Sequence, residues 1–105
     1  MTGAPEKTDA PLTLICLTTD GAAATVACDS VRLRLPDGAV GIRRGHERAL
    51  MATAAGPLAA YRGGERVFCR TAAEGVAWVE SDRVTVLCGT LGESENNGNE
   101  AILPE

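Results

Sequence analysis

The sequence predicts an all-β fold, a small antiparallel β-sandwich, and three observations carry this prediction. Short apolar runs recur along the chain, and Gly, Pro, Asp or Ser stands between most of them. The run Val31-Arg32-Leu33-Arg34-Leu35 alternates between apolar and charged residues at the period of a β-strand. Neither a strand–helix–strand unit nor a heptad repeat is present in the sequence.

The chain has 105 residues, a length that favours one domain with a single hydrophobic core. We expect residues 1–11 to be a flexible lead-in and residues 12–90 to form the sandwich. Residues 91–105 are predicted to be a short, polar and flexible C-terminal tail, because Glu, Asn, Ser and Gly predominate there.

The first strand is predicted at residues 12–18, an apolar run that ends at a Thr-Asp-Gly turn. In the alternating strand, Arg32 and Arg34 should lie on the face opposite the core. Residues 49–55 contain good helix formers, but the segment is short and lies among strands, so we interpret it as a strand. Hairpin turns are predicted at Gly63-Gly64 and Ser81-Asp82. The remaining predicted strands are residues 22–28, 31–35, 40–42, 58–61, 66–71, 76–80 and 83–88.

Composition and charge exclude several classes of partner. The net charge is −4 and the arginines are scattered among acidic residues, so a nucleic acid partner is not expected. No apolar run approaches the roughly 20 residues that span a bilayer, and residues 1–11 lack the apolar region of a secretory signal. We therefore expect a cytoplasmic protein that contacts a membrane only through its partners.

Cysteine and histidine do not indicate a reactive centre. Cys16, Cys28, Cys69 and Cys88 each lie in an apolar run, and the close-spaced pairs of a zinc site are missing. We predict four buried thiols, no metal and no cofactor. His46 is the only histidine, and a general base would need a nucleophile or a substrate-binding group that the sequence does not supply. No catalytic residue is predicted.

A set of short motifs occurs in the order and nearly the spacing of a known family. The motifs are Leu14-Ile15-Cys16-Leu17-Thr18-Thr19-Asp20-Gly21, Gly38-Ala39-Val40-Gly41-Ile42, Gly45-His46, Gly75-Val76-Ala77-Trp78-Val79-Glu80 and Val84-Thr85-Val86-Leu87. Together, over residues 12–88, they resemble the N-terminal β-sandwich domain of the epsilon subunit of F-type ATP synthases. The resemblance implies a non-catalytic central-stalk subunit that couples rotation between the gamma subunit and the c-ring of a proton-translocating synthase. It also implies a peripheral location on the inner face of the cell membrane.

The resemblance also suggests where a partner would bind. The glycine-rich corner that follows the alternating strand is the predicted centre of the interface, and one arginine lies on the adjoining face. A tryptophan that replaces a common Glu of the family is predicted to be an anchor, since Trp is enriched at interface hot spots. The predicted interface residues are Arg32, Gly41, Ile42, Arg43, Arg44, Gly45, His46 and Trp78.

The sequence departs from the family at the corner and after the last strand. Arg43-Arg44 replaces a Leu/Tyr-Pro step, and Glu47-Arg48 replaces Ala-Pro. Cys88 is followed by 105 − 88 = 17 mostly polar residues, where the family has a pair of helices linked to ATP binding and to braking hydrolysis. These departures favour an alternative function, a stand-alone epsilon-derived β-sandwich module that binds a different protein.

Overall fold

The computed structural model describes residues 11–95, which form nine β-strands. Residues 1–10 of the predicted lead-in (1–11) and residues 96–105 of the predicted tail (91–105) lie outside the described residues, so the division into lead-in, sandwich and tail stays a prediction. Within the described range there is no helix with the length and apolar character needed to cross a bilayer. The strands are β1 (Leu12–Thr18), β2 (Ala23–Cys28), β3 (Ser30–Leu35), β4 (Gly38–Arg43), β5 (Ala49–Thr53), β6 (Gly56–Arg62), β7 (Glu65–Ala72), β8 (Gly75–Glu80) and β9 (Arg83–Cys88).

The strands form two sheets that pack face to face, which confirms the predicted β-sandwich. Sheet A has the order β2-β1-β9-β8-β5, and sheet B has the order β4-β3-β6-β7. One pair departs from the antiparallel expectation, because β1 and β9 run parallel with Leu14 beside Val84. This pairing brings the first and last strands of the sandwich together at the centre of sheet A. It could not be predicted from local patterns, since it joins segments about 70 residues apart in sequence.

Strand β3 shows how the sequence pattern places the core. Val31 and Leu33 are buried between the sheets, whereas Arg32 and Arg34 are exposed, as the alternation predicts. The four cysteines are buried and form no disulfide, which confirms the prediction of four buried thiols. The largest fully buried side chains are Phe68, Leu12, Leu14, Ile42 and Leu58.

The predicted hairpins are both confirmed. Gly63 and Gly64 connect β6 to β7 with φ values of +60° and +82°, the left-handed conformation that glycine adopts without steric cost. Ser81 and Asp82 connect β8 to β9 with φ values of +53° and +60° although neither is glycine. A non-glycine pair in this region suggests that something besides turn propensity fixes the second hairpin.

Strand β5 is the element for which the sequence left a choice between helix and strand. Residues 49–53 pair with β8, with Leu50 beside Trp78, so the strand prediction is confirmed. The helix propensity of these residues is outweighed here, because the segment pairs at the edge of a sheet and buries the side chain of Thr53.

Candidate functional site

The predicted interface corner is one of the connections between the two sheets, at one end of the sandwich. Strand β4 leaves sheet B at Arg43 and β5 begins sheet A at Ala49, so residues 44–48 cross from one layer to the other. The backbone N–H of His46 donates to the carbonyl of Arg43 at 3.1 Å, which closes a tight turn. Gly45 has a φ of +84°, a conformation in which other residues are strained.

Asp82 fixes this corner from the neighbouring β8–β9 turn. Its Oδ1 accepts the backbone N–H of Gly45 at 2.9 Å, and its Oδ2 lies 3.8 Å from Nε of Arg44. The backbone carbonyl of Asp82 accepts the N–H of Thr13 at 3.1 Å, so one residue ties the corner to both β9 and β1. The ion pair contributes little because the Arg44 side chain is 70% exposed. The hydrogen bond to Gly45 is the stronger constraint, since it holds the backbone directly.

Sequence reasoning missed the role of Asp82, which it interpreted only as a turn residue. Its side chain reaches a segment 37 positions away in the chain. Glycine is favoured at a two-residue hairpin position where φ is positive, and Asp82 occupies such a position. The absence of glycine there was the one signal that the side chain has another role.

His46 lies in the corner and is half-buried. Its Nδ1 is 2.8 Å from the backbone carbonyl of Glu47, so this nitrogen carries the proton and donates. Within residues 11–95, no Cys or carboxylate side chain hydrogen-bonds to the ring. The imidazole is thus engaged by its own loop, and this arrangement supplies no acid–base partner.

Arg32, Gly41 and Arg43 share the outer surface of sheet B. Together with Tyr61 they line an open depression of about 490 Å³. An adjoining depression shares Arg32 and Tyr61 and extends over Ala59. We call this surface the arginine face and define it by Arg32, Arg34, Ala39, Gly41, Arg43, Ala59, Tyr61 and Arg66.

Ile42 does not belong to any exposed surface. Its side chain is fully buried, because β4 directs Val40 and Ile42 into the core and Gly41 and Arg43 outward. A partner could meet only its backbone. The structure therefore separates Ile42 from the neighbours with which sequence reasoning grouped it.

Trp78 lies on the opposite side of the sandwich from Arg32. Strand β8 buries Ala77 and Val79, so Trp78 is on the outer surface of sheet A, where it is half-buried. Sequence reasoning predicted one interface; the structure places its residues on two faces and a connecting corner.

The outer surface of sheet A is apolar on one side of Trp78, whereas on the other side Trp78 lines a depression with Glu80, Ser81 and Arg83. Leu50 is 75% exposed and lies beside Trp78, and Val76 and Leu17 are each 37% exposed. No charged residue interrupts the two rows of side chains that cross β1, β9, β8 and β5 here. Sequence reasoning missed all of this surface except Trp78, although Ile15 and Leu17 alternate out of phase with the core residues of β1 and could have indicated it. We call it the apolar face; its rows are Ile15, Thr85, Trp78 and Leu50, and Leu17, Leu87, Val76 and Ala52.

No metal centre is formed by the part of the chain that the structure describes. No group of three or more His, Cys, Asp or Glu side chains in residues 11–95 is placed to hold an ion. Burial raises the pKa of the Cys28 thiol to about 11, with a further contribution from the negative charge of Asp29. This thiol is therefore protonated near neutral pH and is a poor nucleophile and metal ligand.

Comparison with known proteins gives a family match and likenesses of fold. The family model of the ATP synthase delta/epsilon chain β-sandwich domain matches residues 11–93. A chain from the cryo-EM structure of the Tetrahymena thermophila mitochondrial ATP synthase central stalk and c-ring has a TM-score of 0.63 at 12% identity, over 79% of this chain and 66% of that chain. A chain from the Euglena gracilis mitochondrial ATP synthase structure, comprising OSCP, F1 and the c-ring, has a TM-score of 0.63 at 20% identity, over 86% of this chain and 61% of that chain.

These likenesses concern the fold. This chain spans 61% to 66% of the length of the two solved chains. No curated protein matches it in sequence.

Proposed function

This chain belongs to the family of ATP synthase delta/epsilon chain β-sandwich domains, and on that premise we propose that it is an epsilon-like central-stalk subunit. In this role it couples rotation between the gamma subunit and the c-ring of a proton-translocating F-type ATP synthase, and it is not catalytic. The observation that carries the proposal is the family match across residues 11–93, a range that includes all nine strands described.

The surfaces of the sandwich support a role between two partners. A coupling subunit must hold two neighbours at once, which requires two separate surfaces. The apolar face around Trp78 and the charged corner of Arg43 and Arg44 lie on different sides of the sandwich and differ in chemistry. An apolar patch suits a stable protein contact, whereas arginines suit an acidic or polar surface. One partner can therefore occupy each without displacing the other.

The corner is also tied to the centre of sheet A. Asp82 links Gly45 of the corner to the hairpin between β8 and β9, and the backbone of Thr13 joins the same residue. A movement of the corner would therefore pull on Asp82, and through it on β1 and β9 at the centre of sheet A. We propose that membrane contact is made only through partners, at the inner face of the cell membrane.

A second candidate function rests on the corner sequence. Arg43-Arg44 and Glu47-Arg48 stand where the family has apolar residues and prolines, so the corner presents an altered charge pattern. This observation favours a β-sandwich module that binds a protein other than the synthase.

Co-purification tests both functions. We expect this chain, co-expressed with gamma and c-ring subunits, to be recovered in one complex with them. Leu50→Asp should abolish the contact at the apolar face without unfolding the sandwich, because Leu50 is already 75% exposed. Ala55→Asp, an exposed change between β5 and β6, is the matched control and should leave the complex intact.

The corner is tested by charge reversal. Arg43→Glu combined with Arg44→Glu should weaken binding by roughly tenfold, or about 1.4 kcal/mol. Glu74→Arg, an exposed reversal at the other end of the sandwich, should have no effect. Recovery of this chain with neither subunit would refute the central-stalk function and favour the second candidate.

A further inference from the structure

The depression that Arg32, Gly41 and Arg43 line on the outer surface of sheet B has a low floor between long side chains. Ser30 lies opposite Arg43 on β4 and opposite Tyr61 on β6, so a longer side chain flanks it on either side. Arg32 lies opposite Gly41, which has no side chain to raise the floor. Two guanidinium groups and a phenol therefore surround a small hydroxyl and an exposed backbone.

Both guanidinium groups of this depression are available to a ligand. Within residues 11–95, neither Arg32 nor Arg43 forms an ion pair or a side-chain hydrogen bond, and both side chains are exposed. Asp29 is the one carboxylate among the described residues that line the depression, and its Oδ2 accepts the backbone N–H of Gly63. The acidic group is thus engaged by the β6–β7 turn, and positive charge predominates in the depression.

The β7 side of sheet B is covered by the chain itself. Residues 90–95 turn back along the edge of β7, where the N–H of Gly92 donates to the carbonyl of Thr71 at 2.8 Å. Nη2 of Arg66 donates to the carbonyl of Glu95, the last residue of this segment, at 3.1 Å. The open side of the sheet is therefore the side of β3 and β4, where the depression lies.

The donors of this depression suit a tetrahedral phosphate group. A guanidinium binds phosphate or carboxylate oxygens with a pair of N–H donors, and the hydroxyls of Ser30 and Tyr61 can each donate one more hydrogen bond. These groups stand on opposite sides of the depression and on its floor, rather than in one plane. A phosphate presents oxygens in several directions, whereas the two oxygens of a carboxylate share one plane. Phosphate therefore matches the arrangement better.

We propose that this depression is a binding site for a phosphate group, with Arg32 and Arg43 as the charged contacts and Ser30 and Tyr61 as hydroxyl donors. Its volume of about 490 Å³ is in the range of about 300–1,000 Å³ that is typical of small-molecule sites. It can therefore also admit the group that carries the phosphate. The site lies on the opposite side of the sandwich from the apolar face.

Titration of the full chain with inorganic phosphate at mildly alkaline pH, followed by backbone amide resonances, tests the site. We expect saturable shifts at Ser30, Gly41 and Tyr61 with a dissociation constant of about 1 mM or lower, and no shift at Leu50 on sheet A. Malonate, a dianion with two planar carboxylates, should bind at least about tenfold more weakly. Equal affinity for the two anions would show attraction by charge alone and would overturn the proposal.

A variant that fills the floor separates a shaped site from charge attraction. Gly41→Leu changes no charge, and the sandwich should tolerate it because a Cβ there meets no atom within 4 Å and φ is not positive. The added side chain would stand between Arg32 and Arg43 and should abolish the phosphate-dependent shifts. Ala39→Leu, an exposed change on the same face of β4, is the matched control and should leave the affinity unchanged. Undiminished binding to the Gly41→Leu variant would overturn the proposal.

Charge variants identify the contacts. Arg32→Gln and Arg43→Gln should each weaken phosphate binding by about tenfold, because each removes charge-assisted hydrogen bonds. Arg83→Gln, which removes an exposed arginine of sheet A, should have no effect. Asp29→Asn should strengthen binding, since it removes a negative charge and keeps an acceptor for the N–H of Gly63. An affinity that is insensitive to both glutamine variants in β3 and β4 would refute these contacts and the proposal with them.

A second arm identifies the source of the phosphate, which occurs on soluble compounds and on lipid headgroups. Sedimentation with vesicles of phosphatidylglycerol that is lost in the Gly41→Leu variant would assign the site to a headgroup. Binding of pyrophosphate without sedimentation would assign it to a soluble ligand. Failure to bind inorganic phosphate, pyrophosphate and the vesicles would overturn the proposal. None of these readouts involves gamma or the c-ring, so the result is independent of the proposed function.

Discussion

Gly75→Ala should severely destabilise the sandwich, although it adds only one methyl group. Gly75 begins β8 and lies opposite Cys88 on β9. A Cβ at this position would be 2.0 Å from the carbonyl oxygen of Leu87 and 2.8 Å from Cα of Cys88. Both are backbone atoms of the neighbouring strand, so no side-chain rotation relieves the clash.

The magnitude follows from this geometry. Cβ atoms essentially never approach another atom below 3.0 Å, so β8 and β9 must separate by about 3.0 − 2.0 = 1.0 Å at this end. Overpacking costs about 1–3 kcal/mol, and each weakened ladder hydrogen bond adds about 0.5–1.5 kcal/mol. We expect a loss of about 3 kcal/mol or more, a large part of the 5–15 kcal/mol typical of a domain.

Urea unfolding followed by the fluorescence of Trp78, the only tryptophan, measures this loss. Gly41→Ala is the control, because a Cβ there meets nothing within 4 Å and its φ is not positive. It should be neutral or stabilise the protein by up to about 1 kcal/mol, since glycine weakens a strand. Equal unfolding midpoints for the two variants would refute the close approach of β8 and β9 at Gly75.

Two more predictions concern stability. Asp82→Ala should cost about 2 kcal/mol, because it removes the acceptor for Gly45 and places alanine in the left-handed region; Asp82→Asn should cost less than about 0.5 kcal/mol. Urea midpoints measure both, and equal values would show that Asp82 does not anchor the corner. The Cys28 thiol has a folded pKa of about 11 against an ordinary value of 9.0, so the unfolded state loses its proton first. The free energy of unfolding should therefore fall as pH rises from 9 to 11. Cys28→Ala should flatten that slope, and an unchanged slope would contradict the burial of the thiol as its cause.

The strands could be predicted because their signals are local. Alternation in β3, apolar runs in β1 and β9, and Gly63-Gly64 at a hairpin tip each lie within a few consecutive residues. Sheet order could not be predicted in this way. The parallel pairing of β1 with β9 depends on how two sheets close around one core.

The candidate site was only half predictable for the same reason. The sequence places Arg43, Gly45 and His46 within four consecutive positions, so they are close together in any fold. It cannot show that Asp82 holds this loop, or that Trp78 is on the far side of the sandwich from Arg32. Those relations are distances between segments remote in sequence.

By itself, the sequence determined which side of each strand is apolar, where the chain turns, and to which family it is similar. These properties follow from side-chain chemistry at a period of two and from turn residues. Only the tertiary structure decided that Ile42 belongs to the core, that an apolar surface surrounds Trp78, and that residues 90–95 cover the edge of β7. The physical reason is that a strand pattern defines two faces, while the packing of one sheet on another determines which face meets solvent.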